Sequence, residues 1–144
     1  MKAQVSWVNE KTFVGQTESG HAIVTGNATD DSPKPGPQAM ELVLIGVGTC
    51  SAYDVVEILK KGRQNIYDVA VEMDADRAEA VPKVFTRIHM HYVVKGKDIS
   101  EGRVARAVEL SVEKYCSATA MMAQTAEVSH SFCLLYTSPS PRDA

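Results

Sequence analysis

Residues 40–64 read MELVLIGVGTCSAYDVVEILKKGRQ, and the reading of this stretch decides the fold. Between Leu42 and Val56 only Thr49, Cys50, Ser51, Tyr53 and Asp54 carry polar side-chain atoms. A helix that is apolar nearly all round is buried on more than one side. Pro37 stands ahead of it, at a first-turn position that proline tolerates. Gly62 follows Lys60 and Lys61, and a glycine after a basic last turn is a stop signal. Gly46 and Gly48 cost helix propensity, which the close approach of another backbone would explain. The pattern predicts one long buried helix opening at Pro37 and closing at Gly62.

Strand signals flank this helix. In AQVSWV, residues 3–8, Ala3, Val5 and Trp7 share one face at period two, as in a half-buried strand. TFVGQT and HAIVTG follow, joined through ESG as a hairpin, and the turn formers of NATDDSPKPGP, residues 27–37, make a loop. Beyond the helix, Val69, Val71 and Met73 alternate. In VFTRIHMHYVV, Val84, Ile88, Met90, Tyr92 and Val94 point one way, and Arg87, His89 and His91 the other. Asp98 or Ser100 can cap a second helix, with Val104, Val108 and Val112 at four-residue spacing. YCSATAMMAQTA continues as helix with a break near Ser117, and EVSHSF is a last strand. Segregated strands and helices define an α+β fold.

Composition narrows the function classes. The chain has 144 residues and a net charge of −3, enough length for one domain with a core and no basic footprint for nucleic acid or membrane lipid. MKAQVSWVNE lacks an apolar leader, and the apolar run at 42–50 is too short to span a bilayer. The expected setting is the cytoplasm, without a membrane or nucleic-acid partner. There, cysteines are more often free, redox-active or metal-bound than in structural disulfides. The last residues, CLLYTSPSPRDA, break the pattern: Pro139 and Pro141 cannot continue a strand. CLLYTSPSPRD reads as a translated sequencing-adapter frame. The expected division is one domain over 1–132 and a non-native or disordered tail over 133–144.

Two cysteines then remain, Cys50 and Cys116, on different helical segments that the fold could bring together. A thiol that reduces peroxide needs thiolate character, access and usually a resolving thiol. Cys50 is mid-helix, and an ionised Asp54 at i+4 would raise its pKa. Free cysteine also packs well as a small hydrophobe, so both roles are open. Cys116 is better placed if a helical turn starts at Ser117, where free N–H groups favour a thiolate. His89 and His91 could hold a metal at i, i+2, but a third ligand at matching spacing is missing. No metal or cofactor is expected.

MELVLIGVGTCSAYDVVEILKKGRQ and VARAVELSVEKYCSATAMM together resemble the two cysteine segments of the OsmC/Ohr family. VSWV, VFTRIHMHYVVKG and SHSF extend the likeness, which is greatest to the YhfA-type branch. The resemblance implies an OsmC-like fold, with antiparallel sheets around a long central helix, in an intertwined homodimer. It also implies thiol-dependent reduction of organic hydroperoxides, with Cys50 attacking, Cys116 resolving and an external dithiol restoring the pair. Family peroxidases activate the first cysteine with an arginine from the N-terminal strands, held by a glutamate in the first helical turn. TESGHAIVTGN contains no arginine. Glu41 falls one residue after the aligned glutamate, where Met40 stands, and is the third candidate site residue. Arg87, Arg103 and His21 are the alternative cations. The competing reading is a non-catalytic OsmC-like protein that binds a hydrophobic small molecule or senses redox state.

Overall fold

The computed structural model describes residues 1–136, so the 137–144 portion of the expected tail lies outside the described residues. The architecture is α+β, with two three-stranded sheets. The chain divides into two compact units, residues 1–45 and residues from Gly46 onward.

The first unit is a meander of β1 (Ala3–Asn9), β2 (Thr12–Thr17) and β3 (Ala22–Gly26), paired antiparallel in that order. Val5 and Trp7 are 68% and 69% exposed. The apolar face read from the sequence is therefore present but uncovered within one chain. Pro37 precedes the long helix α1 (Ala39–Lys61) instead of opening it. Its carbonyl accepts from Gly26 N–H and from Thr25 Oγ1. The first turn is closed by Glu41, whose carboxylate accepts from Gln38 N–H at 2.9 Å. A carboxylate there satisfies a helix N–H that has no intrahelical partner.

The second unit holds most of the core. Val47, Gly48, Ser51, Val55 and Leu59 are the buried positions of α1. By length and composition alone α1 could cross a membrane, a test that the apolar run at 42–50 taken alone did not meet. β4 (Asn65–Arg77) pairs antiparallel with β5 (Phe85–Lys97). β6 (Glu127–Tyr136) pairs with β5 in parallel, so this sheet is mixed where antiparallel sheets were expected. A parallel neighbour needs a crossover connection. It is supplied by α2 (Glu101–Leu110), a π-helical turn (Ser111–Tyr115) and α3 (Ser117–Met122). Ser100 caps α2, accepting from Arg103 N–H. β6 runs four residues past Phe132, through Cys133 to Tyr136.

Ile88, Met90, Tyr92 and Val94 are fully buried, as the alternation predicts. Val84 is not with them. Asp76 pairs with Arg87 while Arg77 pairs with Phe85, so one extra residue sits in β5. Such a bulge reverses which residues face inward: Phe85 is buried and Val84 is 40% exposed. On the crossover, Val104 and Val108 are buried as expected; the buried face continues through Ser111, seven residues after Val104 as the helical period requires, and leaves Val112 half-buried. Gly48 does receive a close neighbour, the Met73 side chain and not a backbone; a Cβ at Gly48 would lie 2.5 Å from Met73 Cε. A Cβ at Gly46 would meet nothing in the described chain.

Leu59 is 1% exposed. Leu59→Ala should cost about 3 kcal/mol, combining lost transfer energy and a cavity. Urea unfolding checks this through a lower midpoint at unchanged slope.

Candidate functional site: two thiols beside a buried hydroxyl network

The two cysteines singled out in the sequence meet in the second unit. Cys50 lies half-buried in the middle of α1. Cys116 is 2% exposed and sits between the π turn and α3. Its backbone leaves helical geometry there (φ −73°, ψ 107°), and its N–H reaches back to the Ser111 carbonyl at 2.8 Å. The Cys116 thiol faces α1, with Sγ 4.0 Å from the Val47 carbonyl to which it donates. The same sulfur accepts from Thr119 N–H at 3.3 Å and from Thr119 Oγ1 at 3.0 Å. Cys50 is near enough to this sulfur to act on its proton, and both thiols are free.

A helix start after Cys116 was expected to favour its thiolate, and the Thr119 donors do so. Burial nevertheless dominates and pushes the Cys116 thiol above the ordinary cysteine range. The Thr119 hydroxyl, then its N–H, pull it back, while the neighbouring Cys50 adds to the rise. No cation acts on it among the described residues. The structure thus keeps Cys116 a thiol in the reduced protein. Its sulfur opens onto a groove of about 550 Å³ lined also by Val112, Thr119, Ala120 and Ala126.

Beside the thiols runs a network that the sequence reading missed. Tyr92, Ser51 and Ser111 are all completely buried. The Tyr92 and Ser51 hydroxyls share a hydrogen bond, and Ser51 Oγ lies 2.7 Å from Ser111 Oγ. Ser111 Oγ donates to Asp54 Oδ2 at 3.1 Å. Each hydroxyl has one proton, so with Ser111 donating to Asp54, Ser51 donates to Ser111 and Tyr92 to Ser51. Burial pushes the Tyr92 phenol up to about 12; its bond to Ser51 works against this, and the charges of Cys116 and Asp54 work with it. The available signal was a polar residue on an otherwise apolar face: Tyr92 between Met90 and Val94, and Ser111 after Val104 and Val108.

Glu41 belongs to the first unit. Its carboxylate lies 2.6 Å from Lys34 Nζ. The Lys34 bond first, and the Gln38 N–H second, hold it below the usual carboxylate range. Each of the alternative cations has neighbours of its own. Arg87 binds Asp76 at 2.7 Å and Asp74 at 3.1 Å. Arg103 lies beside Gly62 at the end of α1, and His21 bonds Ser19 in an exposed turn. His89 and His91 both bond Ser131 Oγ. Among the described residues, no group of three His, Cys, Asp or Glu side chains is placed to hold a metal ion.

This fold, with paired cysteines on the long helix and on the crossover, is accompanied by a match of residues 29–131 to the family model described as OsmC-like protein, and the chain belongs to that family. It is similar to Protein YhfA of Escherichia coli (strain K12), at 46% identity over 133 residues, 92% of this chain and 96% of that protein. The crystal structure of a hypothetical protein from Aquifex aeolicus VF5 is similar with a TM-score of 0.84 and 32% identity, over 95% of this chain and 97% of that one. The organic hydroperoxide resistance protein OhrB of Bacillus subtilis shares the fold, with a TM-score of 0.61 at 14% identity over 92% and 98% of the two chains.

The raised Cys116 value sets a pH dependence. The folded state holds this proton more tightly than the unfolded chain does. The resulting stability is therefore full below the ordinary cysteine value of about 8.5 and fades as pH climbs through the higher folded value. Iodoacetamide labelling of the reduced protein, followed by mass, should show Cys116 alkylating with a midpoint above 8.5. Thr119→Val, which removes the hydroxyl donor, should move that midpoint further up.

Proposed function

We propose that the protein is a thiol-dependent peroxidase of the cytoplasm that reduces organic hydroperoxides through Cys50 and Cys116. The observation that supports this most is the Cys116 thiol buried against α1, donating to the Val47 carbonyl one turn before Cys50, with Cys50 acting on its proton. Cys50, the more exposed of the pair, is the attacking group. Its thiolate attacks a peroxide oxygen, the O–O bond breaks, and Cys50 becomes a sulfenic acid while the alkoxide leaves as alcohol with a proton. Cys116, kept protonated by burial, survives this step and then attacks. The S–O bond breaks, the Cys50–Cys116 disulfide forms, and the thiol proton leaves with the hydroxyl as water. An external dithiol reduces the disulfide by exchange. The name of the OhrB relative, organic hydroperoxide resistance protein, supports the substrate class. Glu41, held by Lys34, serves to fix the first turn of α1.

The working form is a homodimer. Val5 and Trp7 in the first sheet and Val43, Ile45 and Tyr53 on α1 are exposed large apolar side chains, a quantity that a monomer seldom leaves in water. A second copy would cover them.

One equivalent of cumene hydroperoxide should convert the parent to a Cys50–Cys116 disulfide, seen as a loss of two mass units and of two titratable thiols. Cys50→Ser should abolish peroxide consumption, and Cys116→Ser should stop at a trappable sulfenic acid. All three free thiols, Cys133 included, persisting in the treated parent would sink the reading.

A further inference from the structure

The buried hydroxyls are placed in a specific relation to the cysteines. Ser51 follows Cys50 directly on α1. The Ser111 carbonyl holds the Cys116 N–H at 2.8 Å across the π turn. The 2.7 Å bond between Ser51 Oγ and Ser111 Oγ therefore joins the backbone that carries one thiol to the backbone that carries the other. Ser111 Oγ also lies 3.2 Å from the Ser51 carbonyl, an alternative acceptor for its single proton on the same turn of α1. Tyr92 holds Ser51 from β5, and Asp54 holds Ser111 from one turn further along α1. Three completely buried hydroxyls are costly to desolvate unless bonded, and the Val55 and Val108 nearby in sequence show that apolar side chains fit in this core. A π turn is itself rare and common at functional sites. Here it sets the five-residue reach from Ser111 to Cys116.

We propose that Ser51 and Ser111, braced by Tyr92 and Asp54, form a clamp that holds Cys50 and Cys116 at disulfide-forming separation. They are positioning residues, and the proposal rests on the thiol-pair reading above. Disulfides tolerate only a narrow range of backbone separation and direction. The clamp acts on the closing step, in which Cys50 sulfenic acid and Cys116 thiol give the disulfide and water. It leaves the earlier attack on peroxide untouched.

The test uses the full chain in two measurements. The first equilibrates the protein with reduced and oxidised glutathione and reads the Cys50–Cys116 disulfide by mass. Ser111→Ala and Ser51→Ala should each lower its equilibrium constant about tenfold, near 30 mV for this two-electron couple. Tyr92→Phe and Asp54→Asn, which keep shape, should lower it about threefold and carry the test if a serine variant does not fold. Leu59→Ala serves as a control for general loosening and should leave the constant within twofold of the parent. The second measurement follows one equivalent of cumene hydroperoxide with dimedone present. Ser111→Ala should consume peroxide at the parental rate and accumulate trapped sulfenic acid at Cys50. A parental equilibrium constant in the folded serine variants overturns the clamp, as does an equal shift in Leu59→Ala. A parent that closes its disulfide in glutathione yet ignores peroxide overturns the peroxidase reading and leaves the clamp standing.

Discussion

One turn of α1, Val47 to Ser51, has to accept neighbours from three directions, and the second unit depends on it. Met73 of β4 reaches the Cα of Gly48. Tyr92 of β5 reaches Ser51. Ser111 and Cys116, at the far end of α2, reach Ser51 and the Val47 carbonyl. Such convergence is possible only if the turn is built from small side chains, and Gly48, Cys50 and Ser51 meet that condition. The helix gives up roughly 1 kcal/mol of propensity at Gly48 relative to alanine. What it gains is a place where β4, β5 and the crossover all seat on the same backbone.

The polar content of this turn follows from the same crowding. A hydroxyl buried without a partner costs about 1–3 kcal/mol, whereas a satisfied one contributes about 1. Tyr92, Ser51, Ser111 and Asp54 satisfy one another in a single line, and the line ends on a carboxylate that is only partly buried. Bonded chains of this kind tolerate little displacement of any member. The thiol pair therefore sits against a part of the core whose geometry is set by direction-dependent bonds as well as by apolar packing. Cys116 combines the two influences: Thr119 offers its sulfur two donors, and burial still keeps it protonated.

Much of this was legible in the sequence because it rests on periodicity and on residue type. The long helix, the inward face from Ile88 to Val94, a cap at Asp98 or Ser100 and a break near Ser117 all follow from spacing and residue type. Other features escaped. One extra residue in β5 exchanged Val84 for Phe85 and leaves no mark in composition; Ser111 escaped because strict four-residue spacing from Val104 and Val108 points to Val112, where the 3.6-residue period points to Ser111. The parallel placement of β6 also has no local signal, since a strand reads alike in either direction. The half-buried expectation for β1 failed for another reason: alternation shows which face is apolar and not what covers it. At the site, the paired thiols were visible as two cysteines on separate segments. Their hydroxyl neighbours were not, because Ser51 and Ser111 are 60 residues apart.

Because β6 runs parallel to β5, the whole of α2, the π turn, Cys116 and α3 forms the connection between adjacent strands. Cys116 is thus carried by a loop-like crossover and not by the sheet it serves. Sheets usually constrain sequence length through their register, and connections absorb insertions and deletions. In this architecture the rule is inverted over a short span. A residue gained or lost between Ser111 and Thr119 would leave every strand pair intact and yet carry the second sulfur away from α1. Relatives that keep both thiols should therefore tolerate length changes ahead of α2 or between α3 and β6, but hold the count from Ser111 to Thr119 fixed.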